Sequence, residues 1–418
     1  MDSRKYCLAD FQNKGDVDVV SLSAKLAEFQ EDLHNRRNNN YRRVSLSGSQ
    51  PVMQVRDSYT GETREMLYFA SNDYLNLTQH PRCKQAGIDA VIKYGAGAGS
   101  VPLLGGTLDL HIEVEKKLAK FKGCENALLF SSGFGSNSGA IAALLGENGI
   151  AILDMLVHAS IIDGCVGKDK QFFLHNDMLS LERVLKKVAD KKATKLVIVD
   201  GVYSMDGDIA KLNEITELAH AYGAIVMVDE AHATGVIGPN GKGTPEHFGI
   251  EGKVDIVAGT CSKAIGVVGG FIASTNNIIE YLHYYARSYM FSTASTPQAT
   301  ASIGAALDVI QDEPGLRDKL WRNIHYFKNG LETIGADLGN AETAIFPIIL
   351  ADDQKVIDIC RELHEQNIYA NPVVYPAVPR RLARIRFSLM AQHEQAHLDT
   401  VLNAMESLMK KYDVKRKS

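Results

Sequence analysis

The chain has 418 residues, of which 45% are hydrophobic and 23% charged, with a net charge of −5 at pH 7 and a pI near 6.2. This length predicts two or three structural units, and the acidic balance argues against a nucleic-acid-binding protein, which would show a basic excess. The six cysteines are widely spaced without a C-x-x-C pair, so neither a disulfide framework nor a metal site is indicated. No apolar leader and no apolar run of about 18 residues occurs, so we expect a soluble, cytoplasmic protein.

The strand and helix pattern predicts three regions. Residues 1–63 predict an N-terminal arm with an amphipathic helix through SLSAKLAEFQEDLHNRR. Residues 64–303 predict a large α/β domain whose mainly parallel sheet lies between helices, because short apolar runs without alternation are typical of strands covered on both faces. Those runs are NALLF, IAILDM, KLVIVD, AIVMVDE, VDIVAG and GGFIAS. Residues 304–418 predict a smaller C-terminal α+β domain, with the alternating strand ARIRFSLM and a last helix ending in KKYDVKRKS.

Polar residues follow several of these apolar runs directly. In doubly wound sheets, ligands bind at the carboxyl ends of the strands. The turn LLFSSGFGSN places Gly133 and Phe134 at the start of a helix, where backbone N–H groups and the helix dipole favour a phosphate. The other strand exits carry His158, Asp200, Ser204, Asp229 and His232. This is more polar chemistry than a structural core needs, and it predicts a ligand site.

The stretch GTCSKAIGVVGG places Lys263 between small residues. A Walker loop has its glycines before the Lys-Ser/Thr pair, and here they follow the lysine. The D-E-A-H tetrapeptide at 229–232 is found in one helicase class, but no Walker loop precedes it. A lysine on a short turn, with hydroxyls at Thr260 and Ser262, instead indicates an amine that forms a Schiff base beside a bound phosphate.

Six motifs together resemble the α-oxoamine synthases, a family of fold-type-I pyridoxal phosphate enzymes. They are GTCSKAIGVVGG, VDEAHATGVIG, DGVYSMDGDIA, SSGFGSN, HASIIDG and RIRFSLMAQH. The resemblance implies a PLP-dependent transferase that condenses an acyl-CoA with a small amino acid and releases CO2. It also implies pyridoxal 5'-phosphate (PLP) as the cofactor and a homodimer with a shared active site.

The resemblance also assigns roles to individual residues. It makes Lys263 the internal aldimine lysine and later the base that removes the substrate Cα proton. Asp229 would keep the pyridine nitrogen protonated, and His158 would stack on the ring. The remaining expected contacts are His232 and Ser204 to the ring O3′, Gly133, Phe134, Thr260 and Ser262 to the phosphate, Thr293 to the partner subunit's phosphate, and Asn72 and Arg386 to the substrate. For Arg386, the alternative is a half-exposed strand with Arg384 on the same outward face.

The motifs NPVVYPAVP and RIRFSLMAQH most resemble bacterial serine palmitoyltransferases and the related cysteate-using enzymes of sulfonolipid synthesis. We therefore expect a long-chain acyl-CoA and L-serine or cysteate as substrates, giving a 3-keto sphingoid-type base, CoA and CO2. Val101, Pro102 and Leu103 replace the polar cluster with which succinyl-using relatives hold a carboxylate, and an apolar lining suits a fatty acyl chain. The amino acid remains open between serine, cysteate, glycine and alanine.

Several alternatives remain. One is another α-oxoamine synthase, either 2-amino-3-ketobutyrate CoA ligase or 8-amino-7-oxononanoate synthase. A non-catalytic subunit of a heterodimeric synthase should lack the lysine at position 263, and an aminotransferase would release no CO2. The basic stretch NRRNNNYRR is either a contact for CoA phosphates or a solvated helix end. The C-terminal KKYDVKRKS is a candidate for peripheral contact with an anionic membrane surface.

Overall fold

The computed structural model describes residues 1–415. It divides into two compact units, one of residues 72–320 and one that combines residues 1–71 with the chain from residue 321 onward. These boundaries differ from the predicted ones at 63/64 and 303/304, and the N-terminal arm is not a separate domain. The reason is that β3 (Thr63–Tyr68) pairs in parallel with β12 (Ile368–Tyr369), which joins the two ends of the chain in one sheet.

Two observations bear on the expected membrane contact. None of the described helices combines the length and the apolarity needed to cross a membrane. The last residues of the basic C-terminal cluster, 416–418, lie outside the described part of the chain.

The unit of residues 72–320 is built on a seven-stranded sheet in the order β4-β10-β9-β8-β7-β5-β6. Its strands are β4 (Asn126–Phe130), β5 (Ile150–Asp154), β6 (Asp169–Phe173), β7 (Lys195–Asp200), β8 (Ile225–Asp229), β9 (Ile256–Thr260) and β10 (Gly270–Ser274). Neighbouring strands are parallel except at β10, which is antiparallel to both β4 and β9. The predicted α/β fold with a mainly parallel sheet is therefore confirmed.

The helices of this unit lie before, between and after these strands along the chain. They are α2 (Pro81–Tyr94), α3 (Asp109–Lys122), α4 (Gly133–Leu145), α5 (Ala159–Gly164), α6 (Met178–Val188), α7 (Leu212–Ala221), α8 (Thr244–His247), α9 (Asn276–Tyr285), α10 (Arg287–Met290) and α11 (Pro297–Asp312). On one face of the sheet, Ile141 of α4 and Ile161 of α5 share a fully buried core with Leu153 and Ile198 of the strands. This core holds the start of α4 against the sheet.

Strands β9 and β10 form an antiparallel hairpin, with Thr260 opposite Gly270. Gly270 is also opposite Phe130, the last residue of β4. The ends of β4 and β9 and the start of β10 therefore lie at one edge of the sheet. The segment between β9 and β10, which carries Lys263, begins and ends at that edge.

The second unit contains two smaller sheets. One has the order β1-β2-β3-β12 with β1 (Val44–Ser45) and β2 (Val52–Arg56), and the other has the order β11-β14-β13 with β11 (Ile345–Ile349), β13 (Asn371–Val373) and β14 (Arg384–Ser388). Its helices are α1 (Val19–Asn35), α13 (Asp353–Glu365) and α14 (Gln395–Lys411), and α12 (Pro314–Thr333) connects the two units along the chain.

Strand β14 is buried over its whole length because it is the central strand of its sheet. Arg384 is 1% exposed and Arg386 is 7% exposed. A half-exposed strand carrying both arginines on an outward face is therefore wrong. Burying a guanidinium is costly unless it is paired, so the two side chains stay in place only with polar partners.

Candidate active site

A cavity of about 120 Å³ lies at the carboxyl end of the central strands in the unit of residues 72–320. Four of the expected residues line it together: His158, Asp229, His232 and Lys263. The rest of the lining is Gly133, Phe134, Asn137, Ser160, Asp200, Val202, Ala231, Gly259 and Thr260. The polar residues that follow the predicted strands therefore line a cavity at the carboxyl end of the sheet, as expected for a doubly wound sheet.

Asp229 is the last residue of β8 and is 4% exposed. Its Oδ1 accepts the Ala231 N–H at 2.9 Å, and its Oδ2 accepts the Asn137 side-chain amide at 2.6 Å. These two hydrogen bonds fix the orientation of the carboxylate. Among the described residues it makes no salt bridge with lysine or arginine, so a cationic group of a ligand is its natural counterpart.

His158 caps the start of α5. Its Nδ1 lies 2.8 Å from Ser160 Oγ, and that hydroxyl accepts the Asn137 amide at 2.9 Å. Burial lowers the pKa of His158, an effect that the nearby charge of Asp229 partly offsets. The imidazole is therefore held in one orientation and kept largely neutral.

Asp200 ends β7 and is 3% exposed in the same cavity. Burial, together with the negative charge of Asp229, raises the pKa of Asp200 well above its ordinary value. Asp200 Oδ1 accepts the backbone N–H of His158 at 3.3 Å. Burial therefore favours the protonated form of Asp200.

The start of α4 and the end of β9 form a backbone cradle. Ser132 caps the helix by accepting the Gly135 N–H at 3.0 Å. A Cβ at Gly133 would lie 2.5 Å from Thr260 Cβ, so only glycine permits this approach. Thr260 Oγ1 lies 3.1 Å from Ser262 Oγ. Free N–H groups at a helix start beside two hydroxyls are a typical phosphate site.

Lys263 is half-buried and lines the cavity from the β9–β10 segment. On the other side, His232 is 6% exposed, and its Nδ1 lies 2.7 Å from the hydroxyl of Tyr74. The same hydroxyl donates to Asn72 Oδ1 at 3.4 Å. Asn72 is therefore linked to His232 by hydrogen bonds through Tyr74, and all three residues belong to the same unit.

The other expected residues are placed less directly. The described lining includes neither Ser204, half-buried on the turn after β7, nor Ser262, which adjoins Thr260. Thr293 is exposed on the loop before α11, and Arg386 belongs to the other unit. Three residues that sequence reasoning missed are Asn137, Ser160 and Tyr74. Asn137 and Ser160 lie inside the motifs SSGFGSN and HASIIDG, and Tyr74 lies two residues after Asn72, but only the fold shows that they orient the acid and histidines of the site.

These residues fit pyridoxal phosphate on their own chemistry. The bare backbone at Gly133 beside two hydroxyls suits the phosphate, and the carboxylate of Asp229, which makes no salt bridge with a described lysine or arginine, suits a protonated ring nitrogen. Lys263 supplies an amine for the aldehyde in the same cavity. The cavity thus defines a PLP enzyme of fold type I.

Comparisons with known proteins agree with this class. The family model for class I and II aminotransferases matches residues 64–405. An 8-amino-7-oxononanoate synthase of Thermoanaerobacter pseudethanolicus is 45% identical over 353 residues, 84% of this chain and 89% of that protein. Another, from Bacillus velezensis, is 45% identical over 347 residues, 82% of this chain and 88% of that protein.

Solved structures give the same family. A serine palmitoyltransferase of S. paucimobilis superposes with a TM-score of 0.90 at 32% identity, covering 96% of this chain and 100% of that chain. The 8-amino-7-oxononanoate synthase of Francisella tularensis gives 0.71 at 28% identity, covering 83% and 98%. The chain belongs to the class I and II aminotransferase family and, within it, to the α-oxoamine synthases, which use PLP to join acyl substrates and amino acids.

The expected substrates need correction. A long-chain acyl-CoA with L-serine or cysteate, and with it a place in sphingolipid or sulfonolipid synthesis, is wrong, since relatives at 41–45% identity over most of the chain are 8-amino-7-oxononanoate synthases. The serine palmitoyltransferase structure is similar in backbone shape at only 32% identity. Backbone shape is shared across a family, whereas side chains select the substrate.

Proposed function

We propose that this enzyme condenses L-alanine with the thioester of a seven-carbon dicarboxylic acid, giving 8-amino-7-oxononanoate, CO2 and a free thiol. The supporting observation is the 45% identity to enzymes named for that product over more than four fifths of this chain. The name of the product identifies the two substrates from which it is formed. Carbons 1 to 7 form the acyl group with its distal carboxylate, and carbons 8 and 9 with the amine are alanine without its carboxylate.

The four residues that line the cavity together would carry the chemistry. PLP, when bound, supplies an electron sink for the carbon that loses a proton or a carboxylate. Lys263 would hold the cofactor and later take the Cα proton of alanine, a role that suits a half-buried amine. Asp229 would hold a proton at the ring nitrogen, and His158 would orient the departing carboxylate. Their fixed hydrogen bonds support these roles.

The remaining site residues would position the ligands. The N–H groups of Gly133 and Phe134 and the hydroxyls of Thr260 and Ser262 would bind the phosphate. His232 and Ser204 would contact the ring oxygen. Asn72 and Arg386 would bind the amino acid, Arg386 through its carboxylate, for which a guanidinium offers a bidentate fit.

A second copy of the chain would complete the enzyme as a homodimer. Support comes from apolar side chains that are exposed on α2 and on the following loop: Ile88 is 54%, Ile92 79% and Leu104 83% exposed. Exposed apolar groups of this size commonly mark a protein interface. Light scattering should give a dimer that Ile92→Lys dissociates, while Val166→Lys, at an exposed position on a different surface turn, leaves it intact.

The deciding experiment offers the holoenzyme heptanedioyl-CoA or palmitoyl-CoA with each of L-alanine, glycine, L-serine and L-cysteate. Release of labelled CO2 and of free thiol is measured. Heptanedioyl-CoA with L-alanine should give the highest kcat/KM, and Lys263→Ala should abolish turnover while the exposed Lys253→Ala retains it. A preference for palmitoyl-CoA, or product without CO2, would refute the proposal.

A further inference from the structure

A second polar cavity, separate from the PLP site, lies in the unit that contains both chain ends. It has a volume of about 90 Å³ and is lined by Arg37, Arg64, Arg361 and His364, together with Asn40, Asp57, Tyr59, Thr60 and Glu365. One water needs about 10–15 Å³ of such space. This arginine cavity therefore has room for a small polyatomic anion.

Arg37 is exposed and stands at the C-terminal end of α1. Its guanidinium makes no ion pair or hydrogen bond with any described residue, and it lies 6.0 Å from the centre of the Tyr59 ring. Arg361 donates to Asn38 Oδ1 at 3.0 Å and pairs with Asp358 at 3.3 Å, which leaves other donors unused. Two of the three lining arginines thus have N–H groups available for a ligand.

Arg43 adds a half-buried positive charge near His364 of this cavity. Its Nη2 donates to Asn40 Oδ1 at 2.6 Å, and its guanidinium lies 4.6 Å from the centre of the Tyr369 ring. Its Nη1 is buried and has no hydrogen-bond partner among the described residues. A buried guanidinium nitrogen without an acceptor is unfavourable, and the nearby charge of an anion would offset that cost.

His364 lines the cavity and has one buried ring nitrogen without a hydrogen-bond partner in the described chain. It is 5% exposed, and its Nε2–H donates to Asp57 Oδ2 at 3.3 Å. Burial, and then the charge of Arg43, lower the pKa of His364 to about 4, so the ring is neutral at physiological pH. Its Nδ1 then carries a lone pair, is buried, and has no partner in the described chain.

The charges around the cavity leave a positive excess. Four arginines, Arg37, Arg43, Arg64 and Arg361, face the carboxylates Asp57, Asp358 and Glu365. Asp57 is already engaged, since it accepts Arg64 Nη1 at 3.1 Å. The available guanidinium groups therefore attract an anion, while the lone pair on His364 repels any anion that has no proton to donate.

We infer that the arginine cavity binds a phosphate group that still carries a proton, with Arg37 and Arg361 contacting its oxygens and His364 Nδ1 accepting its O–H. Guanidinium groups bind phosphate oxygens in forked geometry. Inorganic phosphate keeps one proton at pH 8, whereas a phosphate monoester has a second pKa near 6 and has therefore lost its last proton at pH 8. Sulfate has none. The proposal does not depend on the proposed reaction.

The test is titration calorimetry on the holoenzyme in a chloride buffer at pH 8, with PLP saturating its own site. Inorganic phosphate should bind saturably, and sulfate at least about tenfold more weakly. Arg37→Gln and Arg361→Gln should each weaken phosphate at least about tenfold. Arg42→Gln is the matched control, since it removes one exposed charge from the same stretch without lining the cavity.

Competition with adenosine 3′-phosphate distinguishes two sources of the bound group, a phosphate monoester and free inorganic phosphate. Displacement of bound phosphate at pH 6 but not at pH 8 would support a monoester that enters the cavity in its protonated form. Failure to displace at either pH would support free inorganic phosphate. The proposal is overturned if phosphate binding is not saturable, if sulfate binds as tightly, or if Arg37→Gln behaves like Arg42→Gln.

Discussion

The side-chain amide of Asn137 donates to Asp229 Oδ2 at 2.6 Å inside the PLP cavity. The same nitrogen lies 2.9 Å from Ser160 Oγ, which in turn lies 2.8 Å from His158 Nδ1. One buried residue of α4 therefore orients both the acid and the histidine of the site. Asn137 is a positioning residue, because it acts through groups that would contact the cofactor.

Replacing Asn137 with alanine should lower kcat/KM by about 10- to 100-fold, since a hydrogen bond to a charged group contributes roughly 1.5–3 kcal/mol. Ser138→Ala, one residue along on the exposed side of α4, is the control. Equal kcat/KM values for the two variants would contradict a positioning role.

Gly133→Ala should weaken PLP binding by about tenfold or more, because the new Cβ would lie 2.5 Å from Thr260 Cβ and push the cradle open. Absorbance during reconstitution of the apoenzyme gives the dissociation constant. Gly315→Ala is the matched control, since a Cβ there meets no atom within 4 Å. Unchanged PLP affinity in Gly133→Ala would mean that this backbone approach does not shape the phosphate site.

His175 should make stability fall at alkaline pH. Its Nδ1 and Nε2 contact Asp154 at 3.0 Å and Asp208 at 2.7 Å. Burial alone would lower the pKa of His175, but the hydrogen bonds and charges of the two carboxylates raise it to about 10. The folded protein therefore binds a proton more tightly than the unfolded chain, and this stabilisation is complete below about pH 6.5 and is lost as the pH rises through about 10.

Urea unfolding of wild type and His175→Gln at pH 6 and pH 10 measures this effect. The difference in free energy of unfolding between the two proteins should be large at pH 6 and should shrink at pH 10. Comparing the proteins at each pH removes the contribution of other titrating groups. A difference that grows with pH would contradict the protonated assignment.

Lys122 and Glu230 form a buried pair at 3.6 Å, with side chains 2% and 0% exposed. Lys122→Met should cost about 3–5 kcal/mol of unfolding free energy, because it leaves the carboxylate buried without its cation. The double variant Lys122→Met/Glu230→Gln should recover part of that loss, and the exposed Lys120→Met should cost little. Calorimetric unfolding measures all three, and equal losses for Lys122→Met and Lys120→Met would show that the pair contributes nothing.

The sequence was most informative where strands are buried on both faces. The runs NALLF and KLVIVD coincide with β4 and β7, because a short continuous apolar run is favourable mainly in a strand that is covered on both faces. The edge strand β6 was missed, since its sequence DKQFF is largely polar and only Phe173 is fully buried. Alternation misled at β14, where a central position in a small sheet buries both faces of the strand.

Site residues were predictable where a motif fixes them close to a strand end. His158, Asp229, His232 and Lys263 meet in one cavity for that reason. The supporting polar residues were not predictable, because the role of a buried asparagine in α4 depends on hydrogen-bond partners about 20 to 90 residues away in sequence. The substrate was not predictable either, since the motifs describe cofactor chemistry that the whole family shares.

The β9–β10 hairpin anchors the Lys263 segment to the sheet at both of its ends, with Thr260 opposite Gly270. The segment that carries the Lys263 amine is thus fixed by neighbours that are close in sequence. Exchange of other segments between family members can therefore alter which acyl group is accepted without moving the amine. Within this fold, the residues that select the substrate can therefore change independently of the residues that attach the cofactor.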